Sequence, residues 1–148
     1  MAAPRTTEEA LHQMRVIWFS ILVSIPLYLY AGDVVGAIPW LNFPSAGKVF
    51  IVLAVLNLYY AFWFRRSRYL PAVIAIQDQP ENVHAVRRWM SSWTVLICMA
   101  ESEAVYGFAF RMGNKRLAQS LPFSVVAAIW TLWLWPRQAW VSDEIAGR

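Results

Sequence analysis

Two acidic side chains, Glu101 and Glu103, interrupt an otherwise apolar stretch that runs from Ser91 to Phe110. A charged carboxylate at the centre of a membrane-spanning helix costs about 2.5–3.5 kcal/mol on insertion scales, so such a residue is expected to have a function or a partner. In apolar surroundings a glutamate can also take up a proton and stay neutral, as a proton carrier does. The chemistry that these residues predict is the binding of a proton or a monovalent cation.

The two carboxylates are not equivalent, because positions two apart on a helix differ by about 200° around its axis. Glu101 lies at the middle of the stretch, and we expect it to be the working group. Glu103 shares a face with Tyr106 and lies nearer the outer end, where it can lean toward the interface or bond to a neighbouring helix.

Polar side chains at matching depth in other segments are candidate partners for these carboxylates. Ser20 and Ser24 are spaced i, i+4 with Tyr28 one turn further on, and Asn57 is the strongly polar residue of its segment. These groups can also act as interhelical hydrogen bonds that only hold a bundle together, and the sequence leaves that alternative open. The predicted ion-binding residues are Glu101, Asn57, Ser20, Ser24, Glu103 and Tyr106.

The composition indicates a membrane protein of a single domain. Hydrophobic residues make up 59% of the 148 residues and charged residues 15%, with a mean hydropathy of +0.41. Soluble domains usually carry about a quarter charged residues. The net charge of +4 comes from arginines that lie beside apolar runs, which favours membrane topology over nucleic-acid binding. The single cysteine, Cys98, excludes an internal disulfide and a C-x-x-C metal site.

Four apolar segments are each about as long as the ~20 residues that a helix needs to cross a hydrocarbon core. Because backbone groups in lipid must be satisfied internally, we expect all four to be helices. The sequence therefore predicts an all-α, integral membrane fold over residues 1–148, with four transmembrane helices in an antiparallel bundle. The spans are predicted at about 15–31, 46–64, 91–110 and 119–135, with an amphipathic lead-in at about 80–90.

The distribution of basic residues predicts that both termini are cytoplasmic, because most arginines then lie on the inner side. In a bacterium this is a multi-pass protein of the cytoplasmic membrane. Basic and aromatic residues beside the second and third spans fix this topology or bind anionic lipid headgroups. The residues assigned to this interface are Arg65, Arg66, Arg68, Arg87, Arg88 and Trp89.

The segment "AESEAVYG", which begins at Ala100, resembles the carboxylate helix of the proteolipid (c) subunits of rotary ATP synthases. In those subunits a glutamate is followed by Ser and, five residues on, by Tyr, which matches Glu101, Ser102 and Tyr106. The resemblance implies that Glu101 binds a translocated proton or sodium ion. The wider pattern, R-x-x-W from Arg15 and then E-S-x-A-x-Y-G, also resembles small four-helix bacterial membrane proteins, a likeness that implies architecture and no activity.

Other chemistries find little support in the sequence. "PSAGK" lacks the leading glycine and the following Ser/Thr of a phosphate loop. His12 and His84 lie in polar flanks without metal-ligand spacing, and no base stands near a serine nucleophile. We therefore expect no enzyme activity, no metal and no cofactor. The expected function is a proton- or cation-binding accessory subunit, in a homo-oligomer or larger membrane complex, with membrane lipids as partners; the alternative is a scaffold, assembly or lipid-binding bundle.

Overall fold

The computed structural model describes Pro4 and residues 6–35, 45–114 and 117–136. All regular structure in these residues is helical, and they contain no strand, which confirms the predicted all-α class. A π-helical turn, Arg65–Tyr69, joins the second and third helices into one continuous stretch, so the described residues form four long helical units. The helices are α1 (Thr7–Val34), α2 (Ala46–Phe64), α3 (Leu70–Asp78), α4 (Val83–Asn114) and α5 (Leu117–Trp133).

Local sequence signals account for where α1 begins and where α2 changes its winding. The hydroxyl of Thr6 accepts a hydrogen bond from the backbone N–H of Glu9 at 3.2 Å, as an N-cap residue does. Pro71 lacks a backbone N–H, and its ring crowds the carbonyl four residues earlier. The π-helical turn lies at this point and widens the helix between α2 and α3.

The helices α1 and α4 extend beyond the predicted spans at both ends, α2 has the predicted bounds 46–64, and α5 begins and ends two residues earlier than predicted. The lead-in from Val83 onward and the span at about 91–110 form the single helix α4, which has 32 residues, while residues 80–82 precede it as a turn. The helix α1 and the continuous stretch Gly47–Asp78 are both long and apolar enough to cross a membrane. The helix α5 is apolar but has only 17 residues. These lengths and compositions agree with a membrane protein, while the number of passes stays a prediction.

The helix α4 is the centre of the bundle, because it packs against α1, α2, α3 and α5. The helices α1 and α5 also pack against each other, so α1, α4 and α5 form a three-helix unit. The helix α2 packs mainly against α4, and most of its large apolar side chains are exposed. This arrangement leaves a groove between α2 and α5.

The largest apolar core lies at the end of the bundle that contains the first turns of α1 and α4 and the last turn of α5. Trp18 and Trp93 are buried there, and their indole N–H groups donate to the carbonyl oxygens of Thr131 at 2.6 Å and Leu134 at 3.0 Å. The final carbonyls of a helix have no partner within it. These two tryptophans therefore supply hydrogen bonds at the C-terminal end of α5.

Candidate functional site

The carboxylate of Glu101 lies at the contact between α4 and α1. The hydroxyl oxygens of Ser24 and Tyr28 are each 3.1 Å from its Oε1 atom. Ser24 and Tyr28 are one turn apart on α1, so their side chains reach the same point on α4. All three side chains are half-buried. Glu101 is thus held by hydroxyl groups at a contact that is partly open to the surroundings of the bundle.

Ser24 has two possible acceptors and one hydroxyl hydrogen. Its Oγ atom is 2.8 Å from the carbonyl oxygen of Ile21 and 3.1 Å from Glu101. When Ser24 donates to Ile21, its hydroxyl oxygen can form a hydrogen bond with Glu101 only by accepting, so the carboxyl group of Glu101 must then carry a proton. When Glu101 is ionised, Ser24 can rotate and donate to it. The geometry therefore suits both protonation states of Glu101, which differ by the rotation of one hydroxyl.

Glu103 lies on the other side of α4, against α2. Its side chain is buried, with 1% of its surface exposed, and the amide of Asn57 donates to its Oε1 atom at 2.8 Å. The same amide nitrogen donates to the carbonyl oxygen of Met99 at 2.9 Å. An amide group has two hydrogens, so both bonds form together. Asn57 therefore joins α2 to two consecutive turns of α4.

The structure does not bring the predicted ion-binding residues Glu101, Asn57, Ser20 and Ser24 together in one cluster. Asn57 contacts Glu103 and not Glu101, because the two glutamates point to nearly opposite sides of α4. Ser20 is exposed, and its hydroxyl donates within α1 to the carbonyl of Val16 at 2.9 Å. Ser24 is the predicted partner that does reach Glu101.

Tyr106, the remaining predicted ion-binding residue, is half-buried on α4. Among the described residues it makes no hydrogen bond to either glutamate. Besides Ser24, the side chain that contacts Glu101 is instead Tyr28, which lies four residues after Ser24 on α1. The i, i+4 spacing of Ser24 and Tyr28 could have predicted this contact with Glu101, because residues four apart on a helix lie on one face.

An ion pair between α1 and α4 was missed from the sequence. The guanidinium of Arg111, which is 5% exposed, pairs with the carboxylate of Asp33. A Cβ atom at Gly32 would lie 2.8 Å from Arg111 Cδ, so the glycine leaves room for this side chain. No spacing rule links Arg111 to a residue as distant in sequence as Asp33.

The predicted interface residues lie in different surroundings. Arg66, Arg68, Arg87 and Arg88 are exposed, and Arg65 is half-buried. Trp89 belongs to the apolar core and is 2% exposed.

The described residues contain no group of three His, Cys, Asp or Glu side chains that could hold a metal ion. Comparisons with protein-family models, curated protein sequences and solved structures find no match to this chain. The site must therefore be interpreted from its own geometry.

Proposed function

We propose that this chain is an integral membrane protein in which Glu101 reversibly binds a proton. It acts as a small accessory subunit in the cytoplasmic membrane, with four spans and both termini inside. The observation that carries the proposal is the contact of Glu101 with the hydroxyls of Ser24 and Tyr28. Hydroxyl groups both donate and accept hydrogen bonds, so they can stabilise the carboxyl group with or without its proton.

The position of Glu101 supports exchange with a partner. A carboxylate sealed inside a bundle has no route by which a proton can arrive, whereas Glu101 is half-buried at the edge of the α1–α4 contact. Cys98 lies one turn earlier on α4 and is exposed, so this face of the helix is accessible. A second membrane chain that packs on this face could deliver the proton, which is why we assign an accessory role in a larger complex.

Glu103 has a different role in this proposal. It is buried and accepts a hydrogen bond from an amide whose other hydrogen is also used. An amide nitrogen donates and does not accept, so this partner cannot take a proton from Glu103 through the bonded nitrogen. We therefore assign Glu103 to the attachment of α2 and Glu101 to proton binding.

Carbodiimide labelling tests the assignment, because these reagents modify protonated carboxyl groups in apolar surroundings. We would label the purified protein in lipid nanodiscs over a series of pH values and locate the modified residue by mass spectrometry. We expect selective modification of Glu101 that falls as the pH rises. Glu103 in the same molecule and the variant Glu101→Gln are the controls. Protection by sodium ions at constant pH would identify a cation site in place of a proton site.

Two results would contradict the proposal. Modification of neither glutamate at any pH would mean that Glu101 takes up no accessible proton. Equal modification of Glu101 and Glu103 would mean that the hydroxyl contacts confer no selectivity.

The second candidate function is a scaffold or assembly protein without ion chemistry. The bonds of Asn57 to Met99 and Glu103 favour it, because in these bonds a polar side chain attaches one helix to another. Under this alternative, Glu101→Gln leaves every interaction with other membrane chains unchanged, since glutamine also accepts hydrogen bonds from Ser24 and Tyr28.

A further inference from the structure

The groove between α2 and α5 has two parts that meet at Leu58 and Val126. One part has a volume of about 380 Å³ and ends at Arg65, beside Trp133. The other has a volume of about 260 Å³ and extends to Ile51 on α2. The walls are mainly aliphatic and aromatic in both parts, and the polar side chains of the second part are Glu103, which is held by Asn57, and Gln119. The groove is therefore mainly apolar, runs along the bundle and has a cationic side chain at one end.

The length of the groove fits a lipid acyl chain. Its α2 wall runs from Ile51 to Arg65, which corresponds to about 21 Å at a rise of 1.5 Å per residue. One leaflet of a bilayer is about 15 Å thick, half of the ~30 Å hydrocarbon core. The groove is therefore long enough to hold the whole acyl chain of a lipid in one leaflet.

The charge at the end of the groove fits an anionic headgroup. The guanidinium carbon of Arg65 lies 4.8 Å from the ring centroid of Trp133, which holds this side chain at the mouth of the groove. Arg66 and Arg68 are exposed in the same π-helical turn. No carboxylate among the described residues forms an ion pair with these three arginines, so their positive charge is available to a ligand.

We infer that this groove binds one phospholipid with an anionic headgroup, whose acyl chain lies between α2 and α5 and whose phosphate contacts Arg65. The inference rests on the membrane location in the proposed function and is independent of the proton site at Glu101. The lipid replaces the helix contacts that α2 lacks on its α5 side. It therefore acts as a bound structural ligand and not as bulk solvent.

Native mass spectrometry in detergent tests the inference, with phosphatidylglycerol titrated against phosphatidylcholine of the same acyl chains. We expect one phosphatidylglycerol to remain bound. Loss of one arginine contact is worth about 1 kcal/mol, so Arg65→Gln should weaken phosphatidylglycerol binding about fivefold. Arg15→Gln is the matched control, because Arg15 is exposed on α1 and takes no part in the groove. Glycerol phosphate, which has the headgroup chemistry without acyl chains, should not compete.

A second pair of variants tests the groove without changing charge. Val126 lines both parts of the groove and is 37% exposed, so Val126→Trp should fill it and reduce the bound lipid at least tenfold. Val23→Trp makes the same change at a 42% exposed position of α1 and should leave binding unchanged. Far-UV circular dichroism of each variant checks that its helices are intact.

Three outcomes would overturn the inference. They are equal binding of phosphatidylglycerol and phosphatidylcholine, lipid binding that Val126→Trp does not reduce, and a dimer that Val126→Trp dissociates. The last would mean that a helix of a second copy occupies the groove. A chain that carbonate washing releases from membranes would instead refute the membrane location itself, whatever the result of labelling at Glu101.

Discussion

The substitution Asn57→Leu should detach α2 from α4, because it removes the two interhelical hydrogen bonds at similar side-chain volume. Interhelical hydrogen bonds in membranes average about 0.6 kcal/mol, which is the expected cost of losing the bond to Met99. The change also removes the donor to Glu103, a side chain that is 1% exposed. A buried acceptor left without its partner costs about 1–3 kcal/mol. We therefore expect Asn57→Leu to lower the free energy of unfolding by about 1.5–3.5 kcal/mol.

A double-mutant cycle separates this contact from other effects of the substitution. Asn57→Leu, Glu103→Leu and the double variant would be unfolded reversibly by SDS in mixed micelles and followed by far-UV circular dichroism. We expect the double variant to be more stable than Asn57→Leu alone, because it leaves no stranded carboxyl group. Ser20→Ala, which removes a hydroxyl that bonds only within α1, is the control and should cost less than about 0.5 kcal/mol. Additivity of the two single effects within about 0.5 kcal/mol would refute the reasoning.

Two further predictions concern contacts of α4 and use the same unfolding measurement. Gly107→Ala should lower the free energy of unfolding by about 1–3 kcal/mol, because the added Cβ would lie 3.0 Å from the backbone oxygen of Ser120 and would force α4 and α5 apart. Gly47→Ala is the control and should cost less, because its Cβ would meet only the ring edge of Phe110, which can move. Equal losses for the two variants would contradict this reasoning. Asp33→Ala should cost about 1–3 kcal/mol, because it leaves the buried guanidinium of Arg111 without its carboxylate, and a neutral effect in low salt would show that the pair does not form.

The helical class and part of the site could be predicted from the sequence, since both depend on local spacing. Apolar runs of nearly bilayer length predict helices. Of the i, i+4 pair Ser20 and Ser24, Ser24 does contact Glu101. The angular argument also correctly separated Glu101 from Glu103. These predictions needed only the geometry of a single helix.

The pairing between helices could not be predicted in the same way. Matching depth placed Asn57 near both glutamates, but the side of α4 that α2 occupies depends on the packing of the whole bundle. The same limit applies to Trp89, which its position beside the third span predicts at an interface and which the structure buries in the core. Depth in a membrane and direction around a helix axis are independent quantities, and hydropathy reports mainly on the first.

The two proposals are mechanically separable because α4 presents a different surface to each neighbouring helix. Asn57 fixes α2 on one side, and the next residue, Leu58, lines both parts of the groove, so the bond to Glu103 also sets how far α2 stands from α5. On the other side, Glu101 bonds to α1, which takes no part in lining the groove. A proton gained or lost at Glu101 therefore acts first on the contact between α1 and α4. Lipid bound in the groove meets α4 at Leu96 and Glu103, so it can influence Glu101 only through α4.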